Sequence, residues 1–241
     1  MIGSFSFKGV SSLSFGLVSK SGKRALLPAA TPRRADTPGR SGTLDFDGME
    51  YAMRQISMRL MYVGDDFYEL RARAKRVAAW LASESWERLA FEDEKDVYYL
   101  AKVTGEIDLQ AAQLGGVAEV SFDCQPFAYS VKEERASPGR FANPGTRRID
   151  FRSPYGSKLE ISAKVSGAAA ISLNGAHLTY SGDAGTLIID SVNMEATLGG
   201  RNVFGRLDGD VGKFFHINPG ENVFEVAYAT EAVCRYIPLW L

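Results

Sequence analysis

Asp66-Phe67-Tyr68-Glu69-Leu70-Arg71-Ala72-Arg73-Ala74-Lys75-Arg76-Val77-Ala78-Ala79-Trp80-Leu81-Ala82 decides how this chain folds. Asp66 followed three residues later by Glu69 reads as a capping box at a helix start. Phe67, Leu70, Ala74, Val77 and Leu81 then fall at i, i+3, i+7, i+10 and i+14, one apolar stripe of an amphipathic helix. Arg71, Arg73, Lys75 and Arg76 form its basic outer face. The pattern dissolves at Ser83-Glu84-Ser85, which places the end near Ala82. Burying Phe67, Leu70, Val77 and Leu81 contributes roughly 1.5–3 kcal/mol each before entropy is counted. The neighbouring segments, Met53–Val63 before and Val97–Leu109 and Val117–Phe122 after, are strand-like. A lone helix whose stripe needs a sheet implies a sheet with the helix lying across it.

Composition sets the outer limits. The 241 residues are 45% hydrophobic and 24% charged, an ordinary globular balance long enough for one large domain or two of common size. Formal net charge is −1, which removes a bulk electrostatic argument for nucleic acid or anionic membranes. Residues 1–130 carry 16 basic and 17 acidic side chains, and residues 131–241 carry 12 and 12, so neither half is a basic module. Neither sequence-specific nucleic-acid binding nor membrane insertion is expected, since no apolar run approaches a membrane span. Residues Met1–Gly22 lack the pattern of a secretory signal. Cys124 and Cys234, 110 positions apart, form no C-x-x-C site and read as buried structural thiols.

Upstream of the helix, Phe5, Phe7, Leu13, Phe15 and Leu17 alternate with Ser and Gly, as a hairpin or two short strands do. The stretch Lys20 to Gly42 reads as a loop. Lys20, Lys23, Arg24, Arg33, Arg34 and Arg40 oppose a single acid there, Asp36. It is either a basic arm or a solvated loop, and the missing interleaved aromatics favour the loop. Asp45, Asp47 and Gly48 resemble the front of a calcium loop, but the remaining ligands are absent, so a turn closing a strand is expected. The acidic run Glu92-Asp93-Glu94-Lys95-Asp96 has no histidine near and reads as a solvated turn. Gly115-Gly116 is expected to break a hairpin, and Pro126 to stop the strand after it.

The second half changes character. Residues 132–146, with Ser137-Pro138-Gly139 and Asn143-Pro144-Gly145, read as a linker. Short strands then follow: Leu159–Val165, Ala170–Leu173, His177–Tyr180, Thr186–Asp190, Lys213–Ile217 and Asn222–Tyr228. Asn174-Gly175 is a hairpin signal among them. This spacing describes an all-β sandwich.

No catalytic constellation emerges. There is no G-x-S-x-G elbow, and His177 and His216 sit in strand patterns without partners at ligand spacing. Gly199–Gly205 matches no phosphate-binding loop. No enzyme activity, catalytic residue, metal or cofactor is expected. Sugars could stack on Tyr155, Tyr180, Phe204, Phe215 or Trp240, although strand aromatics usually serve the core.

Three stretches together resemble the distal tail protein (Dit) family of siphophages, bacteriophages with long, non-contractile tails. They are Arg33–Phe46; the helix end Val77-Ala78-Ala79-Trp80-Leu81 with Trp86–Asp93 and Val97–Val103; and Val120–Tyr129. The second half adds Thr186–Ser191 and Ile217–Asn222. The resemblance implies a mainly β (α+β) chain. Residues 1–131 would be a β-sandwich-like belt domain with one helix, 132–146 a linker, and 147–241 a galectin-like β-sandwich. It also implies a homo-hexameric ring, a hub joining the tail tube protein to tail-tip hub and fibre proteins. Such a protein sits at the virion tail tip after synthesis in the bacterial host cytoplasm, and the family has no catalytic residues to transfer. Within this reading Arg33, Arg34 and Arg40 are the candidate inter-subunit contacts. A carbohydrate-binding adhesion module acting through the C-terminal sandwich is the alternative.

Overall fold

The computed structural model describes the chain except residues 1, 37, 40, 64–66, 106, 108, 113–114 and 141–144. It is mainly β, with one α-helix among the described residues. The chain divides into two compact units, residues 1–129 together with Leu241, and residues 130–240.

The first unit comprises β1 (Ile2–Gly3), β2 (Phe5–Phe7), β3 (Val10–Ser11), β4 (Val18–Arg24), β5 (Ala30–Asp36), β6 (Thr43–Tyr51) and β7 (Arg54–Val63), then α1 (Phe67–Leu81). After the helix come β8 (Glu87–Phe91), β9 (Glu94–Thr104), β10 (Leu109–Ala112) and β11 (Gly115–Ser130). All but β5 and β6 join one sheet in the order β1-β4-β7-β11-β9-β8-β2-β3, with β10 on β11. Gly3 of β1 pairs with Ser19 of β4, while Phe5 of β2 pairs with Phe91 of β8. Five strands lie between β1 and β2 on that path, yet only Ser4 separates them in the chain. The sheet therefore closes on itself as a barrel, which removes the exposed edges of an open sheet.

Alternation fills the barrel. Ile56, Met58 and Leu60 of β7 are buried, as are Val120, Phe122 and Cys124 of β11. The same core takes Val77, Trp80 and Leu81 of α1. Trp80 stacks on Phe15 (centroids 4.7 Å apart) and Phe5 (5.5 Å), and its Nε1–H donates to the Phe7 carbonyl at 3.0 Å. The Lys8 ammonium donates to the Ala82 carbonyl just past the helix C-terminus, where the helix dipole favours a cation. The expected cap at Asp66 and the side chains of Phe67 and Leu70 lie outside the described residues. Arg73 departs from the expected basic face. It pairs with Glu69 at 2.5 Å and packs over Gly16, whose φ of 65° and missing Cβ leave room for the guanidinium.

Four local expectations need correction. Residues 20–42 are not one loop: β4 runs to Arg24, and β5 pairs with β6 in a separate two-stranded ribbon. Asp45 and Asp47 accordingly lie within a strand rather than a turn. Proline, glycine and clustered arginines mask this pairing: β5 shows no apolar alternation, and in β6 it breaks after Leu44 and Phe46. Gly115-Gly116 is not the hairpin break; both residues belong to β11 and pair with β10 and β7. Nor does Pro126 end β11. Its pairing with β7 stops at Cys124 opposite Arg54, so the missing Pro126 N–H is not needed by that neighbour. The Pro126 carbonyl instead accepts from Arg54 Nε at 2.9 Å and Nη2 at 2.6 Å.

The second unit continues with β12 (Glu134–Arg140), β13 (Gly145–Phe151), β14 (Ser157–Leu173), β15 (Ala176–Asp190), β16 (Glu195–Leu198), β17 (Arg201–Asn202) and β18 (Leu207–Gly209). It ends with β19 (His216–Ile217), β20 (Gly220–Tyr236) and β21 (Leu239–Trp240). Its sheet runs β12-β20-β14-β15-β16-β17, with β13 on β20, β18 on β15 and β19 on β14. Several strands expected to be short are continuous. Leu159–Val165 and Ala170–Leu173 are one strand bent at a bulge where Gly167 adopts φ 120°. His177–Tyr180 and Thr186–Asp190 likewise merge in β15. The expected Asn174-Gly175 hairpin is present, with φ of 53° and 85° suiting a two-residue turn. The expected linker is corrected too: within residues 132–146 β12 pairs with β20 from Glu134↔Tyr236 to Arg140↔Glu231. A register shift between Ala136 and Gly139 interrupts the alternation that would have revealed it.

One polar knot sits in this unit. Buried Asn222 donates to the Asn218 carbonyl (2.7 Å) and the Gly220 carbonyl (2.9 Å), and accepts from Asn218 N–H (2.8 Å) and Asn174 Nδ2 (2.6 Å). It ties the β14–β15 hairpin to the turn before β20.

Candidate assembly surface

The ribbon of β5 and β6 pairs only with itself among the described residues. Register runs from Ala30↔Tyr51 to Asp36↔Thr43, with a bulge between Pro32 and Arg33. At its foot the Ala52 N–H donates to the Ala29 carbonyl at 2.8 Å, and Tyr51 meets Phe127 edge-on at 5.5 Å. None of the ribbon side chains that are described is buried. An isolated two-stranded ribbon is marginal in water, so this one gains most from a surface that covers it. Leu26 is 88% exposed, and Leu27, Met49 and Met53 are more than half exposed around the same foot. Apolar side chains gathered on a surface in this way mark an interaction site.

Charge on the ribbon differs from the basic loop read in sequence. Arg33 Nε pairs with Glu50 Oε1 at 2.9 Å, both side chains being largely exposed. Counted by sequence, the two strands hold Arg33 and Arg34 against Asp36, Asp45, Asp47 and Glu50, a balance of +2 and −4. Pairing β5 with β6 therefore turns a basic segment into an acidic ribbon. Arg40 lies outside the described residues. Arg24, another member of the basic set, is engaged elsewhere.

Arg24 and the expected solvated acidic turn meet. Its Nη2 lies 2.5 Å from Asp93 Oδ2 and its Nη1 3.2 Å from Oδ1, with Glu94 Oε2 at 3.3 Å. The guanidinium also covers the Phe91 ring at 4.5 Å. This hydrogen bond and the positive charge hold the Asp93 carboxyl below the usual carboxylate range. Glu94 accepts from Tyr99 Oη at 3.0 Å; burial, then the Glu94 charge and this bond, push the phenol up to about 12. Arg54, 4% exposed, lies over the Tyr99 ring at 5.4 Å. These residues line an open polar cavity of about 290 Å³. Arg24 with Asp93 and Glu94 makes it a structural clasp, and Arg54 brings a second positive charge to the same wall.

A second cavity, of about 250 Å³, is apolar. It lies between α1 and the barrel, lined by Leu17, Leu60, Ala74, Val77, Ala78 and Ile107.

Other sequence candidates stay apart. His177 on β15 and His216 on β19 are exposed, and no group of three His, Cys, Asp or Glu among the described residues could hold a metal ion. Cys124 and Cys234 are fully buried, and burial pushes both thiols up to about 12. Of the stacking candidates, Tyr180 and Phe215 are core residues, Tyr155 is half-buried, and Phe204 and Trp240 are exposed. No helix among the described residues is long and apolar enough to cross a membrane. The apolar foot was missed in sequence, although the Leu26-Leu27 doublet inside a polar stretch was its signal.

Residues 11–124 match the family described as the phage tail protein RIFT-related domain. The whole chain superposes on the crystal structure of SPP1 Dit (gp 19.1), described as a paradigm of the hub adsorption apparatus in phages infecting Gram-positive hosts. Coverage is 100% of both chains at a TM-score of 0.77 and 14% identity. A chain of the phage P2 baseplate in its activated conformation with Ca matches 91% of this chain and 90% of its own, at a TM-score of 0.52 and 14% identity. The same baseplate with Sr gives 0.52 at 13% identity. No curated protein matches the sequence. The resemblance to siphophage distal tail proteins is upheld in the domain of the first half and in the fold of the whole.

Proposed function

We propose, from a chain whose residues 11–124 form a phage tail RIFT-related domain within a distal-tail-protein fold, that it is a structural ring component of a phage tail. Six copies form a hub at the virion tail tip, between the tail tube protein and the tail-tip or fibre proteins. Its work is assembly rather than catalysis, in keeping with the likeness to a hub protein and a baseplate chain. Synthesis takes place in the host cytoplasm, where buried free cysteines such as these are at home.

The observation that carries this reading is the β5–β6 ribbon: a paired element with an apolar foot and no buried side chain among its described residues. Such an element needs a neighbour, and in a ring the neighbour is the next copy. The ribbon, with Arg33, Arg34 and the connecting Arg40, is the inter-subunit element. Negative-stain images of the purified protein test this. Six-fold rings with a central hole support the hub; compact particles without a hole oppose it.

Exposed Phe204, stacked on Phe214 at 6.0 Å, and exposed Trp240 favour a second reading, carbohydrate binding by the second unit. A glycan array answers it: signal lost on Phe204→Ala or Trp240→Ala supports sugar stacking, and an empty array removes it.

A further inference from the structure

A ring that closes by rotation needs two different patches on each chain, one for each neighbour. Resting on the ring reading above, we propose that the ribbon foot of one copy seats in the apolar groove beside α1 of the next.

The two patches match in apolar character, and the elements that carry them are opposite in net charge. Leu26, Leu27 and Met53 present exposed apolar side chains, and Leu17, Leu60, Val77 and Ala78 line an open apolar groove. The ribbon strands sum to −2, from two arginines and four acids. The groove is walled by α1, whose Arg71, Arg73, Lys75 and Arg76 against Glu69 sum to +3. Lys75 itself lines the groove and is exposed. An apolar centre carried on elements of opposite net charge favours specific association.

Register explains why a chain does not fill its own groove. Met53 immediately precedes β7, and Leu60 lies seven residues further along it, beside Ser19 of β4. At about 3.3 Å per residue the foot and groove are separated by roughly 23 Å along the strands. They occupy opposite ends of the same strands, the arrangement a head-to-tail contact requires.

Two full-length variants test the contact. Leu26→Glu with Met53→Glu disables the foot, and Ala78→Glu disables the groove; all three positions are exposed. Each variant alone is expected to lose self-association by at least about a hundredfold, because it forces a carboxylate into an apolar contact. Mixed in equal amounts, the two should form a pair and stop there, since each retains one working face. A variant that merely failed to fold would form no pair. Closed rings from either variant would overturn this contact while leaving the hub intact. Pairs formed beside a wild type whose oligomer is not six-fold would uphold the contact and refute the hexamer. A wild type monomeric throughout, with no pairs on mixing, would refute both.

Discussion

Gly3 and Phe5, two positions apart in the chain, pair with Ser19 and with Phe91, on strands at opposite ends of the sheet path. One short segment thus closes the barrel, and Phe5 and Phe7 carry that closure into the core, each meeting Phe122 edge-on at 6.1 and 5.3 Å. Phe7→Ala should destabilise the protein by about 3–5 kcal/mol, through lost burial and a cavity against Trp80 and Phe122. Urea unfolding followed by far-UV circular dichroism measures it. A change below 1 kcal/mol, on the order of a surface substitution, would contradict the closure.

Trp80 fixes the helix to that same segment. Trp80→Phe keeps most of the stacking on Phe15 and Phe5 but removes the indole bond to the Phe7 carbonyl. Its cost should be about 1–3 kcal/mol, and that of Trp80→Ala about 3–5 kcal/mol. The ordering of the two midpoints in denaturant is the check.

Asp93 confers a pH dependence of known sign. Its carboxyl is held below the ordinary value by the Arg24 hydrogen bond. The group therefore stabilises the fold fully above its unfolded pKa, near 4, and loses that contribution as pH falls through the depressed folded value. Asp93 is largely exposed, so solvent screening keeps the effect at about 1 kcal/mol or less. Asp93→Asn should lower stability at neutral pH and match wild type more closely near pH 2. A gap that widened on acidification would reverse the assignment.

Cys124 and Cys234 should resist a thiol reagent at pH 8 in the native protein and react fully in denaturant. Both are buried, with thiols shifted up to about 12. Rapid native labelling would show that their strands open.

Asn222 spans two turns with four short hydrogen bonds. Asn222→Ala leaves several of these groups unsatisfied and should cost about 2–4 kcal/mol. Thermal melts of the full chain measure it.

Legibility in the sequence followed burial. The helix was readable because α1 has one face on a core, and β7 because Ile56, Met58 and Leu60 alternate inward. Strands β14, β15 and β20 were read in pieces, because bulges such as that at Gly167 break the two-residue period. The β5–β6 ribbon was unreadable as paired strands, since none of its described side chains is buried and Pro32, Arg33 and Arg34 break any apolar period in β5. The acidic run was read as a turn over Glu92–Asp96, but only Glu92 and Asp93 form one, since β9 begins at Glu94. The clasp with Arg24, 69 residues away, depends on barrel closure that no local pattern encodes. Arg33 and Arg34 were visible as charges; the acids that outnumber them entered only through pairing with β6.

Closure into a six-fold ring is measured by mass from light scattering across a concentration series. Six chains of 26.3 kDa give about 158 kDa. A closed ring gives a species of that mass, populated increasingly with concentration and without larger open polymers. A mass of 26.3 kDa at every concentration would contradict it.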